Sequence, residues 1–204
     1  LILSAICLGF PDRAAAHRLD EYLQAARFSV ERSSVNMEID LTPGVSVASR
    51  VVSLIDADHD GRISGAEASA YARNVLRSIE LRLDSTPLNF ILEDQQFPEI
   101  ADMNDGVGVI RIRGVAGFPA ATAGRHAMTY RNTHESDISV YLANALVPSD
   151  KEIEITAQHR DNSQSELAID YRVVPGTRQS SKWWLMLGLV AACTLVVTVR
   201  LARG

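Results

Sequence analysis

The 204-residue sequence predicts a mainly β domain with one α-helical insertion, set between two apolar ends. Three observations carry that reading. Short runs between residues 27 and 173 alternate apolar and polar side chains with period two, the pattern of strands that bury one face and wet the other. Turn residues separate the runs: Ser33-Ser34, Ser85-Thr86-Pro87, Asp105-Gly106, Ala123-Gly124 and Asp161-Asn162-Ser163. Between residues 45 and 79 the apolar spacing becomes helical. Eight or nine short strands at this spacing fit an antiparallel β-sandwich. A closed barrel has the same periodicity and stays open as the alternative.

Taken in chain order, the first segment is "LILSAICLGF" (1–10), apolar but too short to cross a bilayer. "RAAAH" follows, and Ala14, Ala15 and Ala16 match the small-residue pattern of a signal-peptidase site. Residues 1–16 therefore read as a signal-peptide remnant, and residues 17–173 as the exported domain. With cleavage there, Cys193 is the one cysteine left. No intrachain disulfide is then expected, so the domain must be held by its apolar core, with a metal as the other candidate staple.

The clearest strand is "VNMEIDL" (35–41), where Val35, Met37, Ile39 and Leu41 share one face and Asn36, Glu38 and Asp40 the other. The same alternation recurs at 79–84, 88–92, 109–114, 126–131, 138–143, 152–158 and 166–173. Pro43-Gly44 closes the second strand. The insertion follows, with Ala48, Val51, Val52 and Ile55 at helical spacing in residues 45–55. Ala68, Ala72, Val75 and Ile79 form a second stripe in residues 66–79.

Between these helices lies "DADHDGRISGAE" (56–67), with Asp56, Asp58 and Asp60 alternating, Gly61 next and Glu67 last. This segment, within residues 45–79, resembles the EF-hand family, whose pattern is D-x-[DN]-x-[DN]-G-x5-E between two helices. The resemblance implies a Ca2+ site. Asp56, Asp58 and Asp60 would supply carboxylates, Arg62 its backbone carbonyl, Ser64 its hydroxyl or a held water, and Glu67 both oxygens. Gly61 would supply the left-handed turn. Ile63 is the apolar position that pairs with a second loop in such proteins, and His59 occupies a non-ligating position. The residue choice has a physical reason: calcium takes six to eight oxygens at about 2.3–2.6 Å, and converging carboxylates repel one another without a cation. No second loop is found: "DMNDG" (102–106) has the wrong spacing, and "DNSQSE" (161–166) lacks the glycine. Structural calcium is thus expected rather than paired-loop opening.

At the other end, residues 174–182 ("VPGTRQSSK") read as a polar linker and residues 183–201 as a transmembrane helix. Its charge-free part, 183–199, spans about 25 Å at helical rise, and Arg200 can extend its charge to the interface. Trp183 and Trp184 suit an interfacial belt. Residues 202–204 would form a short cytoplasmic tail, leaving the main domain extracytoplasmic on a single-pass anchor.

A charge balance of 20 basic and 25 acidic residues, with no basic run, sets nucleic acid aside as a partner. Metalloprotease, serine-hydrolase, nucleotide and dinucleotide motifs are all missing, so no enzyme is expected. The competing metal chemistry is an N-terminal His17, whose amine and imidazole would chelate copper or nickel, with His126, His134 or His159 as a further ligand. "AHRLDEYLQA" (16–25) is similar to exported regions of bacterial membrane proteins related to hydrogenase and urease accessory nickel permeases. That resemblance implies an accessory role beside a membrane protein, and this chain has no multi-helix transport part of its own. The expected function is a calcium-binding interaction or accessory module with a membrane or envelope protein as partner. The alternatives are transition-metal handling through His17 and a hydrolase whose site is assembled from distant strands.

Overall fold

A computed structural model of the chain describes residues 20–175. The elements are β1 (Tyr22–Val30), β2 (Ser34–Pro43), α1 (Val45–Ile55), α2 (Gly65–Arg77), β3 (Ile79–Leu83), β4 (Thr86–Leu88) and β5 (Ile91–Gln96). They continue with α3 (Ile100–Asn104), β6 (Ile110–Gly117), β7 (Gly124–Asn132), β8 (Ser139–Ala145), β9 (Ile153–Arg160) and β10 (Glu166–Val173). The chain is mainly β. Its strands form two five-stranded sheets, in the orders β5-β6-β2-β1-β8 and β4-β3-β7-β10-β9.

Alternation decides which faces meet. Tyr22, Ala26, Phe28 and Val30 of β1 and Val35, Met37, Ile39 and Leu41 of β2 are buried from one sheet; Met128, Tyr130, Leu167, Ile169 and Tyr171 are buried from the other. All belong to one apolar core, in which the rings of Phe28 and Tyr130 meet edge to face with centroids 4.7 Å apart. On the outer face of the first sheet, Arg27 pairs with Glu38 at 2.6 Å and Asp40 at 2.8 Å, and Arg111 with Asp40 at 2.9 Å. Those cross-strand pairs occupy the polar positions that the alternation predicts.

The structure corrects the expected pattern in five places. The strands number ten among the described residues, and the first begins at Tyr22 rather than near Arg27. The pairing is not wholly antiparallel: β1 and β8 run parallel, with Tyr22 opposite Ser139 and Phe28 opposite Ala145. Edge strand β8 is protected by side chains of β9, since Gln158 accepts from the Ala145 N–H at 3.0 Å and Arg160 donates to the Ala143 carbonyl at 2.7 Å. The run 88–92 is not one strand; β4 ends at Leu88 and β5 starts at Ile91 in the other sheet, leaving Ile91 exposed. Ile79 belongs to β3, because α2 stops at Arg77, and α3 is a helix the periodicity missed.

The insertion is placed by register. Pro43, the last residue of β2, lies opposite Tyr22, and Ile79, the first of β3, lies opposite Asn132. Helices α1 and α2 therefore leave one sheet and enter the other at the end where residues 133–138 join β7 to β8. Ala48, Val51 and Ile55 of α1 and Ala68, Tyr71, Ala72, Val75 and Leu76 of α2 are the buried helical positions. Among the described residues no helix is long and apolar enough to cross a membrane. The expected signal-peptide remnant 1–16, His17, nearly all of the linker 174–182, the anchor 183–201 and the tail 202–204 lie outside the described residues.

Candidate metal site

Residues 56–67 form the connection between α1 and α2. Asp56 caps the end of α1, its N–H donating to the Val52 carbonyl at 2.8 Å, and it is the one ligand candidate that is buried. Its carboxylate accepts from the Asp60 N–H at 3.2 Å and the Gly61 N–H at 3.1 Å. Asp58 accepts from the Asp60 N–H at 3.2 Å and Asp60 from the Arg62 N–H at 2.8 Å. These short-range turns curl the chain so that oxygens of Asp56, Asp58 and Asp60 lie within 4.8 Å of one another. Two positive φ angles make the curl: +80° at Gly61 and +59° at His59. A Cβ at position 61 would meet no atom within 4 Å, so glycine is favoured there by backbone conformation, not by space. His59 is exposed.

Ser64 and Glu67 take a related but different part. They make a reciprocal capping box at the start of α2: the Glu67 N–H donates to Ser64 Oγ at 3.3 Å, and the Ser64 N–H donates to Glu67 Oε2 at 2.9 Å. Ser64 Oγ also donates to Oε2 at 2.8 Å, while Oε1 accepts from the Ala57 N–H at 2.7 Å. Glu67 thus ties the beginning of the loop to its end, but its oxygens are not among those that converge. Hydrogen bonds from the Ser64 backbone and hydroxyl, then from Ala57 and Asp58, pull its carboxyl down to about 2. Ile63 packs against the apolar core.

The donor set tests what such a loop can hold. Its side-chain donors are all oxygen, which suits a hard cation over a soft transition metal. Each carboxylate oxygen that accepts one N–H keeps a further acceptor position. The twelve residues carry four carboxylates and one guanidinium, that of Arg62.

Among the described residues the histidines form no metal site; His17, the centre of the competing metal reading, lies outside them. Both ring nitrogens of His126 are taken, by Asp84 at 2.6 Å and by the Thr122 carbonyl at 2.8 Å, and the ring stacks on Tyr171. The Asp84 carboxylate and the Thr122 carbonyl push its pKa upward, since two acceptors favour the doubly protonated ring. His134 is buried, with Nε2 3.1 Å from the Tyr71 hydroxyl, and desolvation lowers its pKa. His159 is exposed, 3.9 Å from Asp170. None of the three joins a converging group of metal-ligating side chains among the described residues.

Sequence patterning missed the polar groups in the core. Gln24, at an inward position of β1, donates to the His134 carbonyl at 2.8 Å and Ser139 Oγ at 2.6 Å, and accepts from Asn132 Nδ2 at 2.8 Å. Asn132 Oδ1 accepts from the His134 N–H at 2.9 Å, and the Tyr141 hydroxyl donates to the His134 carbonyl at 3.0 Å. Tyr22 and Tyr71 join through their hydroxyls at 2.7 Å. The available signal was a glutamine in register with Tyr22, Ala26 and Phe28, a polar residue on an apolar face. Comparison with protein-family models, curated proteins and solved structures finds no match for the chain.

Proposed function

We propose that the chain binds calcium through residues 56–67, in an extracytoplasmic β-sandwich that carries an EF-hand-like helix–loop–helix and is tethered to a membrane by residues 183–201. The observation that supports calcium is the convergence of Asp56, Asp58 and Asp60 within 4.8 Å between two helices, with Gly61 in the left-handed region. Asp56, Asp58, Asp60 and Glu67 would hold the ion by carboxylate, Arg62 by its carbonyl and Ser64 by its hydroxyl or a water. The ion would supply positive charge to carboxylates that otherwise repel one another. A lone loop of this kind belongs in the weak range, with Kd of about 10⁻⁴ to 10⁻³ M. With calcium about tenfold above Kd, binding adds about 1.4 kcal/mol to stability, a structural contribution more than a switch.

On this reading the domain serves as an interaction or accessory module for a membrane or envelope protein. The test is the melting temperature of the full chain in detergent micelles, with calcium, magnesium or a chelator, beside Glu67→Gln. Calcium raises Tm, magnesium at equal concentration does not, and Glu67→Gln loses the rise. An unchanged Tm in millimolar calcium ends the reading.

A further inference from the structure

Both helices that flank the loop are tied to the same short segment, residues 133–138. From α1, Arg50 donates to both oxygens of Asp137, at 2.7 and 3.0 Å, and to Glu135 at 2.5 Å. From α2, Tyr71 bonds to His134, and the Ser78 carbonyl just past the helix accepts from the Thr133 N–H at 3.1 Å and its hydroxyl at 2.9 Å. The segment is itself fixed to the sheets: Asn132, Gln24 and Tyr141 hold the His134 backbone, and the Tyr22 N–H donates to the Ile138 carbonyl at 2.7 Å. Between the pinned His134 and Asp137, Glu135 adopts a φ of +46°, a conformation a glutamate keeps when its neighbours fix it. Arg50 lies six residues before Asp56, and Tyr71 four residues after Glu67.

We propose that residues 133–138 act as a strap that presets the spacing of α1 and α2, making Arg50 and Tyr71 positioning residues for cation binding although neither is a ligand. The proposal rests on the calcium reading of residues 56–67. An ion that closes this loop must fix the ends of two helices, and any ordering left to the moment of binding subtracts from affinity. With both helices bracketed from outside, less ordering remains. By linkage, the ion must in turn steady the strap.

Charge makes the test one of sign. Removing Arg50 leaves Glu135 and Asp137 without their cation, which raises the negative potential around the loop and by itself tightens calcium binding. Loss of the strap weakens it. Tyr71→Phe removes the α2 bond to His134 without changing charge and leaves the Ser78–Thr133 bonds in place.

The experiment is calorimetric titration of the full chain in detergent with calcium chloride, for wild type, Arg50→Met and Tyr71→Phe, with hydrogen exchange of residues 133–138 followed with and without calcium. Each variant is expected to bind about threefold more weakly. Calcium should slow exchange at Thr133 to Ile138 in wild type but not in Arg50→Met, a response that a merely structural role would not produce. If wild type binds calcium while Arg50→Met binds equally or more tightly and exchange at the strap does not respond, the strap is overturned and the calcium site stands. If wild type binds no calcium, the wild-type titration alone shows it, and both fall.

Discussion

The acidic loop and the polar cluster beneath the helices solve one problem, the satisfaction of many polar groups in a small volume, in opposite ways. In residues 56–67 the hydrogen-bond partners are two to ten residues apart in sequence, and most are exposed. Around His134 the bonds of Gln24 to His134, Ser139 and Asn132 and those of Tyr71 to Tyr22 and His134 span 49 to 115 residues, and Gln24, Asn132 and His134 are each at most 3 % exposed. A local turn forms wherever its residues are present. A buried network exists only after the sheets have paired, and each missing member strands its partners away from water.

The largest expected effect therefore lies in the network. Asn132→Ala leaves the His134 N–H and the Gln24 side-chain oxygen Oε1 buried without partners, and should cost about 3 kcal/mol in urea denaturation. A loss below about 1 kcal/mol would mean that water replaces the amide and that the contrast between the two regions is smaller than drawn. Next comes Gly61→Val, which forces a β-branched residue to φ +80° with open space at its Cβ and should cost about 1–2 kcal/mol. The comparison sharpens if this variant also loses any calcium response while Asn132→Ala, in its folded state, keeps one that is weakened only by the loss of a strap anchor.

Protonation separates two histidine environments more finely. His134 has a folded pKa below its ordinary value because burial disfavours the charged ring. Its contribution is complete above the unfolded pKa of about 6.5 and declines as pH falls below that value. His126 has a raised pKa, from the Asp84 carboxylate and then the Thr122 carbonyl. Its contribution is complete below about 6.5 and is lost as pH rises through the folded value. Tm profiles of His134→Gln and His126→Gln should thus flatten on opposite sides of about pH 6.5. Flattening on the same side would refute the assignment. The smallest effect is acidic: Glu67, held at about 2, stabilises the loop above its unfolded pKa of about 4.3 and less as pH falls through 2. Glu67→Gln should remove that slope and leave the neutral-pH profile of the two histidines alone.

The comparison also explains what could be read early. Alternation in 35–41 and 166–173 and the helical stripes at Ala48–Val51–Ile55 and Ala68–Ala72–Val75 match the observed elements, because side-chain direction in a strand or helix depends only on local geometry. The three aspartates and Gly61 were legible for the same reason. Ser64 and Glu67 were legible as a pair at the right spacing, but their use as a capping box, outside the converging trio, depends on where α2 starts.

By itself, the sequence determined a mainly β chain, one helical insertion and an acidic loop able to turn on itself, since each rests on contacts between near neighbours. Tertiary structure alone decided that β1 and β8 run parallel, that 88–92 splits between sheets and that Gln24 faces inward to a partner. It also set the two histidine pKa values in opposite directions and closed Arg50 and Tyr71 onto one strap. The reason is range: burial, desolvation and pairing across tens of residues come into being only when the sheets meet, and no local period encodes which strands will do so.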